Sequence, residues 1–258
     1  MGLIIALVNQ KGGVGKTTTS VNLAAYLAQA GQKVLLVDID PQANASAGVG
    51  VRLEATDKHI YHSLLEPKLV TDIIKPTKID RLWVAPTQGD LAGASVELVN
   101  LEAREFRLQQ ALELLRHDYD IIIIDCPPSL GLLTINGLVA ADQVLIPLQP
   151  EYYALEGLGQ LLNTINLIQT HLKPSLGILG ALVTMYDARN RLAGAVVEEL
   201  KTHFPNKLLQ TMIPRNVRLA EAPSYGQPIS LYDPHSRGAQ AYEALANEIL
   251  TLITPNVS

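Results

Sequence analysis

The stretch Lys11-Gly12-Gly13-Val14-Gly15-Lys16-Thr17-Thr18, entered from the apolar run Leu3-Ile4-Ile5-Ala6-Leu7-Val8, constrains the fold more than any other part of this chain. It reads as a buried strand, a glycine turn and a helix start, in that order. Glycines let successive backbone N–H groups curl around phosphate oxygens with no side chain in the way. A helix beginning near Lys16 aims its free N–H groups and positive dipole end at the same anion. Lys16 supplies a point charge for β- and γ-phosphates, and Thr17 offers a hydroxyl to Mg²⁺. Nucleoside triphosphate is the expected ligand class.

The usual P-loop pattern places a glycine five residues before Gly15, where Gln10 stands instead. The chain has a second lysine, Lys11, at the front of the loop. An isolated loop lysine is ordinarily a solvated one. Beside a glycine pair, a GKTT sequence and a preceding strand it belongs to a more specific set.

Apolar strand-like runs alternate with helical ones along the chain. That pattern predicts an α/β fold of the P-loop NTPase kind: a mostly parallel, twisted sheet with helices on both faces. The predicted strands are Leu3–Val8, Lys33–Val37, Leu82–Ala85, Ile121–Ile124, Val144–Pro147 and Gly177–Thr184. Predicted helices cover Thr17–Ala30, Glu102–Arg116, Tyr153–His171, Ala193–His203 and Ala239–Leu252. Residues 48–80 carry no clear period, and short helices are the expectation there.

The length of 258 residues suits one large α/β domain, and a hydrophobic content of 48% supports a sizeable core. The formal charge of −5 means that any nucleic-acid contact must come from a local patch. One cysteine, Cys126, excludes a disulfide within the chain and a cysteine-rich metal centre. It also argues against a cluster bridged by paired cysteines. There is no signal-peptide pattern and no membrane-spanning run, so a cytoplasmic protein is expected.

Two further strands end in carboxylates. Lys33-Val34-Leu35-Leu36-Val37 runs into Asp38-Ile39-Asp40-Pro41-Gln42, which delivers acids to the ligand crevice of a parallel sheet. Tyr119-Asp120-Ile121-Ile122-Ile123-Ile124-Asp125 has the shape of a Walker B strand, presenting Asp125 towards Mg²⁺, often through a metal-bound water.

Taken in order, these motifs resemble the ParA/Soj chromosome- and plasmid-partitioning ATPases, within the ParA/MinD group of P-loop ATPases. Lys11 to Thr18 resembles the group's deviant Walker A box, KGGxGK[ST]T. Val37 to Asn44 is similar to its first switch, VDxDPQ(A/G)N, and Asp125 to Ser129 to its second, D(C/T)PPS. The segment from Ile213 to Gly226 resembles IPR(N/S)xxxxEAPSxG. The resemblance spans nearly the whole chain and implies a single ATPase domain over residues 1–258, without the N-terminal helix-turn-helix domain of larger plasmid members.

The resemblance also implies roles. Lys11 reaches across a homodimer to the partner's nucleotide. Gly12, Gly13, Val14, Gly15, Lys16, Thr17 and Thr18 bind phosphates, and Asp40 orients or activates the attacking water, with Asp38 supporting the switch. Pro214 and Asn216 frame the adenine and ribose. Arg189 and Arg218 contact DNA phosphates without reading sequence. ATP, ADP and Mg²⁺ are the implied cofactors, hydrolysis is slow, and a ParB-like centromere-binding protein stimulates it at the nucleoid.

Two other functions compete. A MinD-like ATPase would cycle on a membrane or position a protein cluster. The stretch from Ala244 to Ser258 contains no Lys or Arg, however, contrary to what an interfacial anchor needs, so no membrane partner is expected. A metabolic P-loop ligase or reductase would act on a small molecule. The EAPSYG segment and the lone cysteine speak against it.

Overall fold

The computed structural model describes residues 1–254. Pro255, Asn256, Val257 and Ser258, the end of the tail noted above for its lack of basic residues, lie outside the described residues. The strands are β1 (Leu3–Leu7), β2 (Val34–Asp38), β3 (Lys75–Pro76), β4 (Leu82–Ala85), β5 (Ile121–Asp125), β6 (Gln143–Leu148) and β7 (Gly177–Val183). They form one sheet in the order β3-β4-β2-β5-β1-β6-β7. Every pairing is parallel except that of β3 with β4. All six predicted strands are present, with ends moved by a residue or so. The short β3 was not predicted. Its Pro76 cannot donate to a ladder, which fits an edge position.

The helices are α1 (Lys16–Gln29), α2 (Asn44–Gly48), α3 (Ile60–Leu65), α4 (Leu91–Glu97), α5 (Arg107–Glu113), α6 (Leu132–Ala140), α7 (Ala154–His171), α8 (Arg191–His203), α9 (Val217–Glu221), α10 (Ile229–Tyr232) and α11 (Arg237–Ile253). They cover both faces, so the central strands are buried on each side. In β5, Ile122 and Ile124 join the core beneath α3 to α8, and Ile121 and Ile123 join the core beneath α1 and α11. Successive side chains point to opposite faces, and a run of four isoleucines satisfies both. Each contributes on the order of 2 kcal/mol by leaving water.

One helix is shorter than its periodicity predicts. The expected span Glu102–Arg116 becomes a 3₁₀ turn over Arg104–Phe106 followed by α5. Ala103, at φ 51°, stops any continuous helix from starting earlier. Asn136 of α6 accepts from the Leu108 N–H at 3.1 Å and donates to the Arg104 carbonyl at 2.8 Å. A side chain remote in sequence thus caps this junction. The unpredicted α6 is buried along most of its length and has no polar face to give it a period.

Because β1, β2 and β5 run parallel, the loops after them all open at the same edge of the sheet, and β1 lies between β5 and β6. A strand-order reversal of this kind leaves a crevice at the carboxyl ends of the strands.

Candidate functional site

The loop after β1 is held in shape by hydrogen bonds to its neighbours. Asn9 donates through Nδ2 to the Pro147 carbonyl at 2.7 Å, and its Oδ1 accepts the Lys11 N–H at 3.0 Å. Gly13 at φ 75° and Gly15 at φ 83° take the left-handed conformation that other residues adopt at a cost of about 1–2 kcal/mol. The Thr184 hydroxyl, just past β7, lies 2.8 Å from the Val14 carbonyl and 3.1 Å from that of Leu148. The loop is therefore anchored to the ends of β6 and β7.

Lys16 opens α1 and folds its ammonium back over the loop, donating to the Lys11 carbonyl at 3.1 Å. Its side chain is buried. Burial lowers its pKa, while Asp125 is the main carboxylate pulling the other way. Lys11 is exposed and pairs with Glu151 of the same chain.

Asp125 closes β5 and is fully buried. Thr17 donates to its Oδ2 at 2.8 Å, and Ser20 donates to its Oδ1 at 2.7 Å. Burial pushes its pKa up, the neighbouring Asp38 adds to that, and the two hydroxyl donors oppose it. Thr17 and Asp125 thus meet as expected of a Mg²⁺ site that draws its remaining ligands from phosphate and water. Among the described residues no group of three or more His, Cys, Asp or Glu could hold a metal by itself. One hydroxyl and one carboxylate, beside a loop suited to hold phosphate oxygens, offer the oxygen donors Mg²⁺ prefers, so the residues fit that ion. Burial pushes the Cys126 thiol well up, which makes it inert as a nucleophile.

Asp38 closes β2 and is also fully buried. It accepts from the Asp40 N–H at 3.1 Å, the Ser46 N–H at 2.8 Å and the Ser46 hydroxyl at 2.7 Å. Burial pushes its pKa up, and the Ser46 bonds hold it back. Asp40 in turn accepts from the Gln42 N–H at 3.0 Å. The strand end, the Asp40 turn and α2 are therefore one bonded unit. The loop after α2 meets the EAPSYG segment backbone to backbone. A Cβ on Gly226, which sits at φ 61°, would lie 3.0 Å from the Gly50 Cα.

Beside the loop lies a mainly apolar cleft of about 350 Å³. Gly15, Thr18, Met185, Pro214, Asn216 and Tyr242 are among its lining residues. Asn216 also caps α9, its Oδ1 accepting the Arg218 N–H at 2.8 Å.

A family model described as an AAA domain matches residues 2–178. The sporulation initiation inhibitor protein Soj of Bacillus subtilis is 59% identical over 249 residues, covering 96% of this chain and 98% of its own length. The chromosome partitioning protein ParA of Myxococcus xanthus is 53% identical over 255 residues, covering 99% and 90%. The chain belongs to the ParA/Soj family of partitioning ATPases. A solved structure of cobyrinic acid a,c-diamide synthase from Mycobacterium smegmatis, with bound ATP analog and magnesium, superposes with a TM-score of 0.84 at 37% identity, covering 97% of this chain and 95% of its own. The P-loop fold is thus shared across proteins with different activities.

The two arginines singled out by the ParA/Soj resemblance are both on the surface and both paired within the chain. Arg189 makes a forked contact to Asp187, at 2.9 and 2.8 Å, with its side chain 90% exposed. Arg218 donates to Glu221 at 2.9 Å and lies 3.4 Å from Asp233. Sequence reading missed Asn9, Ser20, Ser46, Glu151 and Thr184. Only Ser20 carried a signal, since it stands one helical turn beyond Lys16 and shares a face with Thr17.

Proposed function

We propose that this chain is a Mg²⁺-dependent ATP switch whose nucleotide joins two subunits. In this role the dimer grips DNA nonspecifically in the cytoplasm at the nucleoid. A ParB-like partner stimulates slow hydrolysis, which releases the DNA. One observation carries the reading. A loop bearing Lys11 and Lys16, braced by Asn9 and Thr184, faces Asp125 paired to Thr17 at 2.8 Å, beside Asp40, whose N–H bonds to Asp38.

Phosphoryl transfer needs positioning and charge neutralisation more than covalent help. The loop N–H groups and Lys16 hold the β- and γ-phosphates. Mg²⁺, when bound, draws charge from those phosphates. Thr17 points its hydroxyl proton at Asp125, which leaves its oxygen lone pairs for the cation. Asp40, on its bonded turn, orients or activates the attacking water. Lys11 leaves Glu151 and contributes its charge to the nucleotide of the other subunit. Pro214 and Asn216 frame the base and sugar in the adjoining cleft. Arg189 and Arg218 exchange their own carboxylates for DNA phosphates, and pairing two subunits doubles the number of such contacts.

The test is binding of the Asp40→Ala protein to random-sequence duplex DNA, with ATP and with ADP, across a salt series. Tight, salt-sensitive binding only with ATP is expected. Absence of binding in both states, from a confirmed dimer, would overturn the DNA role in favour of a membrane or protein-cluster cargo.

A further inference from the structure

We infer that Ser20 is a positioning residue for the metal: it fixes the Asp125 carboxylate so that Thr17 and Asp125 present a rigid pair to Mg²⁺. The inference rests on the Mg²⁺-dependent reading proposed above. Ser20 lies on α1, three residues after Thr17, so both hydroxyls leave the helix on the same side. That side faces the end of β5. Ser20 is fully buried.

The Ser20 hydroxyl has one proton and two acceptors within reach. The Lys16 carbonyl, one turn back, is at 3.1 Å. Asp125 Oδ1 is at 2.7 Å. The shorter bond goes to the charged acceptor, and bonds to carboxylates are about twice as strong as neutral ones. The proton therefore points at Asp125. With Thr17 on Oδ2 and Ser20 on Oδ1, the carboxylate is held at both oxygens, and turning about its Cβ–Cγ bond would break both hydrogen bonds.

Asp125 has a reason to turn. It is buried against Asp38, its partner across the β2–β5 ladder, which repels it. Without Ser20, one oxygen would lack a hydroxyl partner beside a like charge. The carboxylate would then swing, and the Thr17 oxygen would lose its fixed direction. Outer partners of metal ligands typically change metal affinity by about 10- to 100-fold.

The test is a titration of a fluorescent ADP derivative onto Ser20→Ala and wild-type protein, first in EDTA and then at increasing Mg²⁺. Alanine favours the helix and adds no atom to the core, so the variant is expected to fold. Ser20→Ala should bind ADP normally in EDTA and need about tenfold more Mg²⁺ to reach its tightest binding. An unchanged Mg²⁺ requirement would overturn the inference. So would an equal weakening in EDTA, which would mean Ser20 serves packing of the loop. If wild-type protein shows no Mg²⁺ effect on ADP affinity, the Mg²⁺-dependent reading itself fails, whatever the variant does.

Discussion

Asp38 and Asp125 stand opposite each other in register at the carboxyl ends of two adjacent parallel strands, both fully buried. Two acids so placed repel, and each is restrained by a serine: Asp38 by Ser46 and Asp125 by Ser20. Helices α1 and α2 are therefore tied to neighbouring strands through matched carboxylate–hydroxyl pairs.

Ser46 joins three parts of the chain. Its hydroxyl donates to Asp38 and accepts the Thr87 N–H at 3.1 Å. Ser46→Ala removes both bonds and leaves a buried N–H without its partner. A loss of about 1–3 kcal/mol is expected in urea unfolding. Hydrolysis should slow as well, because Asp38 also holds the Asp40 backbone. A variant as stable as wild type would show that water takes over the hydroxyl's place.

Glu151 and Lys11 form an exposed pair within one subunit. Under the proposed mechanism Lys11 must leave this pair when two subunits close. Exposed pairs contribute about 0–1 kcal/mol, so Glu151→Gln should lower the ATP concentration needed for dimerisation by up to about fivefold. Lys11→Ala should abolish ATP-driven dimers. Light scattering across an ATP series measures both. Normal dimerisation of Lys11→Ala would remove the lysine from the interface.

Arg218→Glu should lose DNA while keeping ATP-dependent dimers. Substitution of a phosphate-contacting arginine also flattens the salt dependence, by about one unit in the log–log slope for each phosphate no longer neutralised. Filter binding at several salt concentrations tests this. Unchanged affinity at moderate salt would exclude that surface as the DNA site.

His59 is buried with its Nε2 2.9 Å from Asp90, and its Nδ1 has no hydrogen-bond partner among the described residues. His62 and Tyr61 pack against its ring. Burial lowers its pKa from the usual 6.5, with Asp90 opposing and His62 assisting. The unfolded chain therefore takes up the proton first. Stability from this site is full above pH 6.5, declines below it, and is gone once the pH passes beneath the lowered value. Protonated Nδ1 would be a buried donor without an acceptor. Melting curves between pH 7.5 and 5 should fall further for wild type than for His59→Gln. Parallel curves would show that His59 does not titrate in this range.

Much of the sheet was legible because buried parallel strands are continuous apolar runs, as in Ile121–Ile124. The phosphate loop was legible because glycines and lysines at fixed spacing have few other uses. What escaped depends on contacts between distant residues. No local pattern reveals that Asn136 caps α5, or that Asn9 ties the loop to Pro147. The α6 helix escaped because burial on all sides erases its period. Asp38 was legible as a carboxylate in the crevice, yet its bonds to Asp40 and Ser46 required the fold.

The contact between Gly50 and Gly226 reaches beyond stability. Neither position has room for a methyl group unless the other backbone retreats. The two loops cannot drift apart in sequence independently, and a change in one must be answered in the other. The loop after α2 and the EAPSYG segment are in this sense a single heritable unit, written at two distant places in the chain.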